Sequence, residues 1–315
     1  MILITGCAGF IGYHLSSFYL KKGFKVIGVD NLNDYYNINF KIKRLSNLKK
    51  FKNFIFFKTD LRNKNSLAKL KKNKKKISYV IHLAGQAGVR YSFINPVSYV
   101  ENNITAYINL LEFFKNEKSL VSILYASSSS IYGENLKKRN TPISIYAVSK
   151  KTLEEISEVY SEVYKMKFAG MRFFTVYGPN GRPDMSVYKF FDKINSDKKI
   201  YVYNYGNHYR SFTYISDIIY NIDKLLKFTK KNVNARDAQV FNIGNPKSIY
   251  LKHLIKLIEK IVNKKIKVTY LGKQKGDVYK TKAKNINKSR LIGFKYKVDL
   301  ENGLNKFYEW FKNEK

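Results

Sequence analysis

Short apolar runs that alternate with helical stretches constrain the fold of this chain more than any other feature. The first run, residues 2–5, reads Ile-Leu-Ile-Thr and leads into the glycine-rich sequence GCAGFIG and a helix expected through about Lys22. Later runs that read as strands lie at 25–29, 53–60, 79–85, 121–126 and 167–174. Strands that alternate with helices predict an α/β fold with a doubly wound parallel sheet, which binds its ligands at the carboxyl edge.

The glycines Gly6, Gly9 and Gly12 form a G-x-x-G-x-x-G variant of the dinucleotide-binding fingerprint. Glycine permits a tight turn and a close approach of the backbone to a pyrophosphate, which the following helix N-terminus faces. The next strand ends in Asp30, whose carboxylate would accept hydrogen bonds from the adenosine ribose and repel a 2′-phosphate. The pattern therefore predicts a Rossmann-type sheet that binds NAD rather than NADP. Cys7, inside the loop, is interpreted as a small filler.

Other strand ends extend the predicted cofactor site. The strand over 53–60 is followed by Leu61, and Asp60 and Leu61 could reach the adenine. The strand over 79–85 ends in small residues, which would let a cofactor lie close. Asn103, in a helix expected over 95–116, could brace neighbouring backbone. His82 lies within an apolar run and is expected to belong to the core.

The stretch 121–150 carries the predicted chemistry. A strand-like run leads into four serines, Ser127 to Ser130, and a helix begins near Tyr146 with the pattern Tyr-x-x-x-Lys. Residues four apart share a helix face, so the Lys150 ammonium can lie beneath the Tyr146 phenol and favour the phenolate. We therefore expect Tyr146 to have a lowered pKa and to act as a general acid or base near neutral pH. From the residues alone, any of the four serines could assist it.

Composition narrows the class of protein. The 315 residues include one cysteine, so an internal disulfide is excluded and a cytoplasmic location is expected. Met1 leads straight into the first strand and no apolar run approaches ~20 residues, so neither a signal peptide nor a membrane span is expected. The net charge of +36 could indicate a nucleic-acid binder, but the lysines are scattered, and we interpret them as a solvated surface.

After residue 174 the expected elements become shorter and more mixed. We predict a NAD-binding domain over 1–174 and a smaller mixed α/β substrate-binding lobe over 175–315, with some segments interleaved. Arg182 and Arg210, in loops, are candidates for binding a phosphate or carboxylate through the fork of the guanidinium. The alternative for Arg182 is a pair with Asp184 or a surface position. Arg172, inside a strand, is expected to be structural.

Taken together, these motifs resemble those of the extended short-chain dehydrogenase/reductase family, and most closely its UDP-glucuronate 4-epimerases. The resemblance covers essentially the whole chain. General motifs are the glycine pattern, His-Leu-Ala-Gly from residue 82, Tyr146-x-x-x-Lys150 and Arg-x-Phe-Thr-Tyr-Ile-x-Asp from residue 210. The more specific stretches are DNLNDYY at 30–36, QAGVRYS at 86–92, RFFTVYGP at 172–179, GRPDM at 181–185 and GDV at 276–278.

The resemblance implies a reaction that these residues can support. Tyr146 would take the proton from the sugar 4-hydroxyl, Ser128 would hydrogen-bond the same oxygen, and Lys150 would hold the nicotinamide ribose. Tightly held NAD would oxidise carbon 4, and reduction of the 4-keto sugar from its other face would give UDP-galacturonate from UDP-glucuronate without net redox. A homodimer is also implied.

Ser128, Ser129 and Ser130 separate this activity from those of related enzymes. Within the family that this chain resembles, dTDP-glucose 4,6-dehydratases carry Thr-Asp-Glu at these three positions. Uronate decarboxylases of that family keep a glutamate at the position of Ser130. Uncharged hydroxyls with Arg182 and Thr175 would hold the carboxylate of a 4-keto uronate, a β-keto acid, without promoting decarboxylation.

The motifs and the resemblance together define the expected contacts. Expected substrate contacts are Arg90, Ser129, Ser130, Thr175, Arg182, Arg210 and Asp277. Expected cofactor contacts are Gly6, Gly9, Phe10, Ile11, Gly12, Asp30, Asn31, Asp60, Leu61, Leu83, Ala84, Gly85, Asn103, Tyr146 and Lys150. No metal, nucleic-acid or membrane partner is expected.

Two departures from the family pattern leave the sugar open. The loop over 134–145 is shorter than in most relatives and holds Lys137, Lys138 and Arg139, while Lys275 stands where proline is usual. One alternative is a 4-epimerase of another UDP-sugar, such as UDP-glucose, UDP-N-acetylglucosamine or its uronate. A more remote alternative is a non-catalytic NAD-binding protein.

Overall fold

A seven-stranded parallel sheet forms the centre of the protein in a computed structural model that describes residues 1–134, 141–232, 238–283 and 292–314. Its strands are β1 (Ile2–Thr5), β2 (Val26–Asp30), β3 (Phe54–Lys58), β4 (Tyr79–His82), β5 (Ser122–Ser128), β6 (Phe168–Phe173) and β11 (Ala238–Ile243). They lie in the order β11-β6-β5-β4-β1-β2-β3, with every neighbouring pair parallel. The predicted α/β, Rossmann-type fold class is confirmed.

Helices cover both faces of this sheet. They are α1 (Phe10–Lys21), α2 (Asn39–Lys49), α3 (Val97–Tyr99), α4 (Ala106–Phe114), α5 (Ile145–Tyr164), α6 (Ser186–Asn195), α7 (Ile215–Asn232), α8 (Leu251–Val262) and α9 (Leu300–Glu314). Side chains alternate across a strand, and β1 shows the result. Ile4 packs in the core cluster that contains residues of α1 and α7, whereas Leu3 packs in the cluster with α4 and α5.

The helix expected over 95–116 is present but irregular. A π-helical segment, Val100–Thr105, joins α3 to α4 and contains Asn103. π-Helical turns are rare and often occur at functional sites. The expected strand over 79–85 ends at His82, because the chain turns away from the sheet at Leu83–Gly85, where Gly85 has φ +154°.

The remaining strands form three small sheets. They are β7 (Thr175–Tyr177) with β10 (Phe212–Tyr214), β9 (Tyr209–Arg210) with β12 (Ile249–Tyr250), and β8 (Ile200–Val202) with β13 (Val268–Tyr270). Strand β11 follows most of these elements in sequence, yet it pairs with β6 in the central sheet. The chain therefore interleaves segments, and the domain boundary at 174/175 stays a prediction.

Two predictions from the sequence concern the loop over 134–145 and the absence of a membrane span. Lys137, Lys138 and Arg139 lie outside the described residues. Among the helices that the structure describes, none has the length and apolar character that crossing a membrane requires.

Candidate active site

A cavity of about 1040 Å³ opens along the carboxyl edge of the central sheet. The glycine loop after β1 and the carboxylates of Asp30 and Asp60 line one end. The serines at the end of β5 line the middle, and Tyr203 and Asp277 line the far end. Drug-sized ligands occupy cavities of roughly 300–1,000 Å³, so this cavity can accommodate a long or composite ligand.

With one exception, the predicted site residues line this cavity. They are Gly6, Gly9, Phe10, Ile11, Gly12, Asp30, Asn31, Asp60, Leu61, Leu83, Ala84, Gly85, Arg90, Ser128, Ser129, Ser130, Tyr146, Lys150, Thr175, Arg182, Arg210 and Asp277. The exception is Asn103, which is fully buried behind the wall. Its Oδ1 accepts from Gln86 N at 2.7 Å, and its Nδ2 donates to Gln86 O at 3.1 Å and Ser149 Oγ at 2.8 Å. The expected bracing of backbone is present, whereas the side chain does not line the cavity.

The loop at the start of α1 has the shape of a diphosphate cradle. Gly9 caps α1 without a side-chain hydrogen bond, so the first N–H groups of the helix remain available to an anion. A Cβ on Gly12 would collide with the carbonyl oxygen of Gly6, and a Cβ on Gly6 would lie 2.7 Å from Ala84 N. Only glycine fits at these positions. The chain therefore provides the close backbone approach that a dinucleotide such as NAD requires.

Asp30 holds the glycine loop as well as lining the cavity. Its Oδ2 accepts from Ala8 N at 3.0 Å, and its Oδ1 accepts from Leu32 N at 2.8 Å. The Lys41 ammonium lies near Asp30 and donates to Asn33 O at 2.8 Å, and burial lowers the pKa of Lys41. The predicted preference for NAD depends on repulsion between the Asp30 carboxylate and a 2′-phosphate. The nearby Lys41 ammonium offsets part of that repulsion.

Helix α5 brings Tyr146 and Lys150 to the middle of the cavity. Ser144 caps the helix, its Oγ accepting from Ala147 N at 3.1 Å. Burial raises the pKa of Tyr146, opposed by a hydrogen bond with Ser128 and by the charge of Arg182, and burial lowers the pKa of Lys150 to about 8. The predicted lowering of the Tyr146 pKa by Lys150 is wrong for this structure. Desolvation outweighs the favourable charges, and Lys150 is not among the groups that lower the tyrosine pKa.

All four serines left open by the sequence line the cavity together with Tyr146, and Ser128 acts to lower the pKa of Tyr146. The Ser128 Oγ donates to Ser130 Oγ at 3.1 Å and accepts from Ser130 N at 3.1 Å, which caps the short 3₁₀ helix Ser129–Tyr132. Ser127 is engaged elsewhere, because its Oγ donates to Glu154 at 2.5 Å. The end of β5 thus presents Ser128, Ser129 and Ser130 to the cavity that Tyr146 also lines.

Glu154 joins helix α5 to the end of the sheet. It lies on the same helix face as Tyr146, eight residues on, and accepts from Ser127 on β5 and from Arg172 on β6. Arg172 Nε and Nη2 donate at 2.8 and 2.6 Å, and the two side chains are only 13% and 8% exposed. Arg172 Nη1 also donates to Tyr132 OH at 2.9 Å. This buried ion pair fixes the helix that carries Tyr146 against the strand that carries Ser128.

Arg182 is paired with Asp184 in this structure. Its Nε and Nη2 donate to the two carboxylate oxygens at 2.9 and 2.5 Å, and Tyr35 OH donates to Asp184 Oδ2 at 3.4 Å. This ion pair is the alternative that the sequence analysis gives for Arg182. Asp184 occupies the Nε–Nη2 edge of the guanidinium. A second carboxylate can approach the Nη1–Nη2 edge, whose N–H groups Asp184 does not use, but it can take the Nε–Nη2 edge only by displacing Asp184.

The far end of the cavity is also ion-paired. Arg90 Nη2 lies 3.1 Å from Asp277 Oδ2, and its guanidinium stacks over the ring of Tyr203 at 4.3 Å. Arg210 donates through Nη1 to Tyr209 O at 3.0 Å. His208 lies between these groups and is nearly buried, and burial together with the charge of Arg210 lowers its pKa.

The sequence reasoning missed several residues that line or support the cavity: Tyr35, Lys41, Arg44, Glu154, Tyr203 and His208. One signal was present in α2, where Lys41 and Arg44 share the buried register with Leu45 and Leu48. Charged residues in an apolar helix register indicate partners inside the protein. The partners themselves come from distant parts of the chain.

Comparisons with known proteins agree with this geometry. The model of the NAD dependent epimerase/dehydratase family matches residues 2–244. The UDP-glucuronate 4-epimerase of Thermodesulfobacterium geofontis is 40% identical over 317 residues, which cover 98% of this chain and 95% of that protein. The crystal structure of UDP-glucuronic acid 4-epimerase from Bacillus cereus, in complex with UDP-glucuronic acid and NAD, has a TM-score of 0.92 at 33% identity and covers 100% of this chain and 99% of its own.

A second solved structure is similar but has a different sugar. It is the UDP-N-acetylglucosamine 4-epimerase from Methanobrevibacter ruminantium M1 in complex with UDP-N-acetylmuramic acid. It has a TM-score of 0.86 at 29% identity and covers 100% of this chain and 98% of its own.

We predict that Glu154→Ala destabilises the protein by about 3–5 kcal/mol, because it leaves the buried Arg172 charge without its partner. The free energy of unfolding is measured by urea denaturation at equal cofactor content. The control is Glu155→Ala, which removes a 59% exposed carboxylate paired with Lys151 at 3.5 Å and should change stability by less than about 1 kcal/mol. Equal effects of the two substitutions would contradict the structural importance of the buried pair.

Proposed function

The chain belongs to the NAD dependent epimerase/dehydratase family, and we propose that it is an NAD-dependent isomerase that converts UDP-glucuronate to UDP-galacturonate by inverting carbon 4. The observation that carries this proposal is that Tyr146, Ser128, Lys150 and Arg182 all line one cavity. A glycine cradle in the cavity, and Arg90 and Arg210 that also line it, supply hydrogen-bond donors for a dinucleotide and a nucleotide sugar.

In the proposed reaction, Tyr146 takes the proton from the sugar 4-hydroxyl and gives it back when the hydroxyl is restored. Ser128 hydrogen-bonds the same oxygen and keeps the phenol aligned. When bound, NAD supplies the reversible oxidation of carbon 4. Lys150 holds the nicotinamide ribose. Burial raises the pKa of Tyr146, and Ser128 and the positive charge of Arg182 oppose this rise and so favour the ionised form.

A 4-epimerase of a neutral UDP-sugar is the second candidate. It is favoured by the Arg182–Asp184 pair, because Asp184 offsets part of the positive charge that Arg182 would offer to a uronate. UDP-glucuronate remains the proposed substrate, since Asp184 does not use the Nη1–Nη2 edge of Arg182 and the hydroxyls of Ser129, Ser130 and Thr175 line the same cavity.

We predict that the purified protein converts UDP-glucuronate to UDP-galacturonate without added NAD, as measured by anion-exchange chromatography of the nucleotide sugars. The matched control is Tyr146→Phe, which keeps the ring but loses the proton, and should lower kcat by about 10²- to 10⁴-fold while retaining NAD. Nucleotides released by denaturation are identified by mass spectrometry. Release of NADP(H), or turnover of UDP-glucose but not UDP-glucuronate, would contradict this assignment.

A separate prediction concerns Arg182 as the residue that binds the uronate carboxylate. Arg182→Leu should lower kcat/KM for UDP-glucuronate about 10- to 100-fold more than for UDP-glucose, because a charge-assisted hydrogen bond is worth about 1.5–3 kcal/mol. The control is Arg90→Leu at the nucleotide end, which should lower both values alike. Equal losses for the two sugars with Arg182→Leu would mean that another residue recognises the carboxylate.

We also propose a homodimer through the outer face of α3 and α5. This face exposes apolar side chains on two adjacent helical segments: Ile94 (78%), Val97 (63%), Val100 (48%), Val148 (45%), Val159 (58%) and Val163 (60%). An apolar patch of this kind is unfavourable in water, and a two-fold axis would bury it against its own copy.

We predict that the wild-type chain sediments as a dimer and that Val159→Glu with Val163→Glu sediments as a monomer. Charges buried in an apolar interface without partners oppose association. The control is Lys312→Glu on α9, an exposed position outside the proposed face, which should remain dimeric. A monomeric wild type, or a dimer that both variants leave intact, would refute the proposed interface.

A further inference from the structure

Arg44 is the largest side chain that the described part of the protein buries completely, at 1% exposure. It lies in α2, outside the predicted site. Its guanidinium donates to two separate loops. Nη1 donates to Ala8 O in the glycine loop at 3.1 Å and to Tyr36 OH at 2.7 Å. Nη2 donates to Asn180 O at 2.8 Å and Gly181 O at 3.3 Å.

The acceptors of Arg44 are carbonyl and hydroxyl oxygens, and no carboxylate of the described residues is ion-paired with it. Its guanidinium also lies 5.7 Å from the ring of Tyr36 and 6.0 Å from the ring of Phe40. A buried charge without a counter-ion is expensive, and an apolar residue would usually serve stability as well. A guanidinium can do one thing that an apolar side chain cannot, which is to join two loops through directed donors.

The loop that receives these bonds leads directly to Arg182, and a second side chain holds it. His14 Nε2 donates to Pro179 O at 2.8 Å, and burial keeps the ring neutral by lowering its pKa to about 4. The carbonyls of residues 179, 180 and 181 are therefore all fixed by side chains from α1 and α2. Asn180 adopts the left-handed conformation with φ +56°, so the path of this loop departs from regular structure and needs such support.

We propose that Arg44 is a positioning residue that holds Arg182 at a set distance from the glycine loop. One guanidinium joins two loops into a single rigid unit. One loop is expected to bind the cofactor diphosphate, and the other is expected to bind the charged end of the sugar. Small errors in the relative placement of reacting groups reduce rates severely, by about 10²-fold for 1 Å. The proposal rests on the proposed function of Arg182 as the reader of the substrate carboxylate.

Arg44→Lys tests this role. A lysine keeps the charge but has a single nitrogen, which cannot serve both loops in the same geometry. Affinities for UDP-glucuronate and for UDP are measured by calorimetry on NAD-containing protein. We expect the affinity for UDP-glucuronate to fall about 10-fold or more, and that for UDP to change by less than about 2-fold. The control is Lys43→Met on the same helix, a 56% exposed residue paired with Glu314 at 2.6 Å, which should change neither.

A double-mutant cycle then asks whether Arg44 acts through Arg182. In the Arg182→Leu background, Arg44→Lys should have no further effect on the affinity for UDP-glucuronate, because residues that act as a unit are not additive. Additive losses, equal losses for UDP and UDP-glucuronate, or loss of NAD alone would each overturn the proposal. Should Arg44→Lys fail to fold, His14→Leu must produce the same selective loss. Turnover of UDP-glucuronate by the wild type tests the proposed function separately in the same experiment.

Discussion

The rest of the site depends on the hydrogen bonds and the ion pair that the buried Glu154 carboxylate makes. This carboxylate lies where α5 crosses the ends of β5 and β6, and it accepts from Ser127 and from Arg172 at 2.5–2.8 Å. Tyr146 and Lys150 belong to that helix, and Ser128 follows Ser127 on that strand. A shift of one element relative to the other would separate the tyrosine from its serine. The geometry of the proposed proton transfer is thus set by an ion pair that does not touch the substrate.

Much of this arrangement could be predicted from the sequence, because it is encoded locally. The parallel strands all end at the same edge of the sheet, so the sequence predicts that glycine, acidic and hydroxyl residues at the strand ends meet there. In the structure, Gly12, Asp30 and Ser128 line one cavity. Partners far apart in sequence could not be read in this way. Arg44 and Asn180 are 136 residues apart, and neither carries a pattern that names the other.

The prediction for the Tyr146 pKa failed for an instructive reason. The spacing Tyr-x-x-x-Lys gives the relation of two residues along a helix, but not their solvent exposure. Burial raises the pKa of the phenol and lowers that of Lys150, because a low-dielectric environment disfavours both charged forms. A sequence pattern can therefore identify the residues of an acid–base site, whereas the direction of the pKa shift depends on how the whole fold excludes water around them.

Two of the arginines that line the cavity, Arg182 and Arg90, are paired with carboxylates of the protein itself, and this affects selectivity. Arg182 is bound to Asp184 and Arg90 to Asp277, so an anionic ligand gains less from these arginines than the net charge of +36 would suggest. A ligand carboxylate at Arg182 must use the Nη1–Nη2 edge beside Asp184 or replace Asp184. In the first case Asp184 repels it, and in the second the net gain in binding free energy is the difference between two carboxylates at one guanidinium. Such a site discriminates by geometry rather than by charge alone, which makes the placement of the loop at residues 179–181 as important as the presence of Arg182.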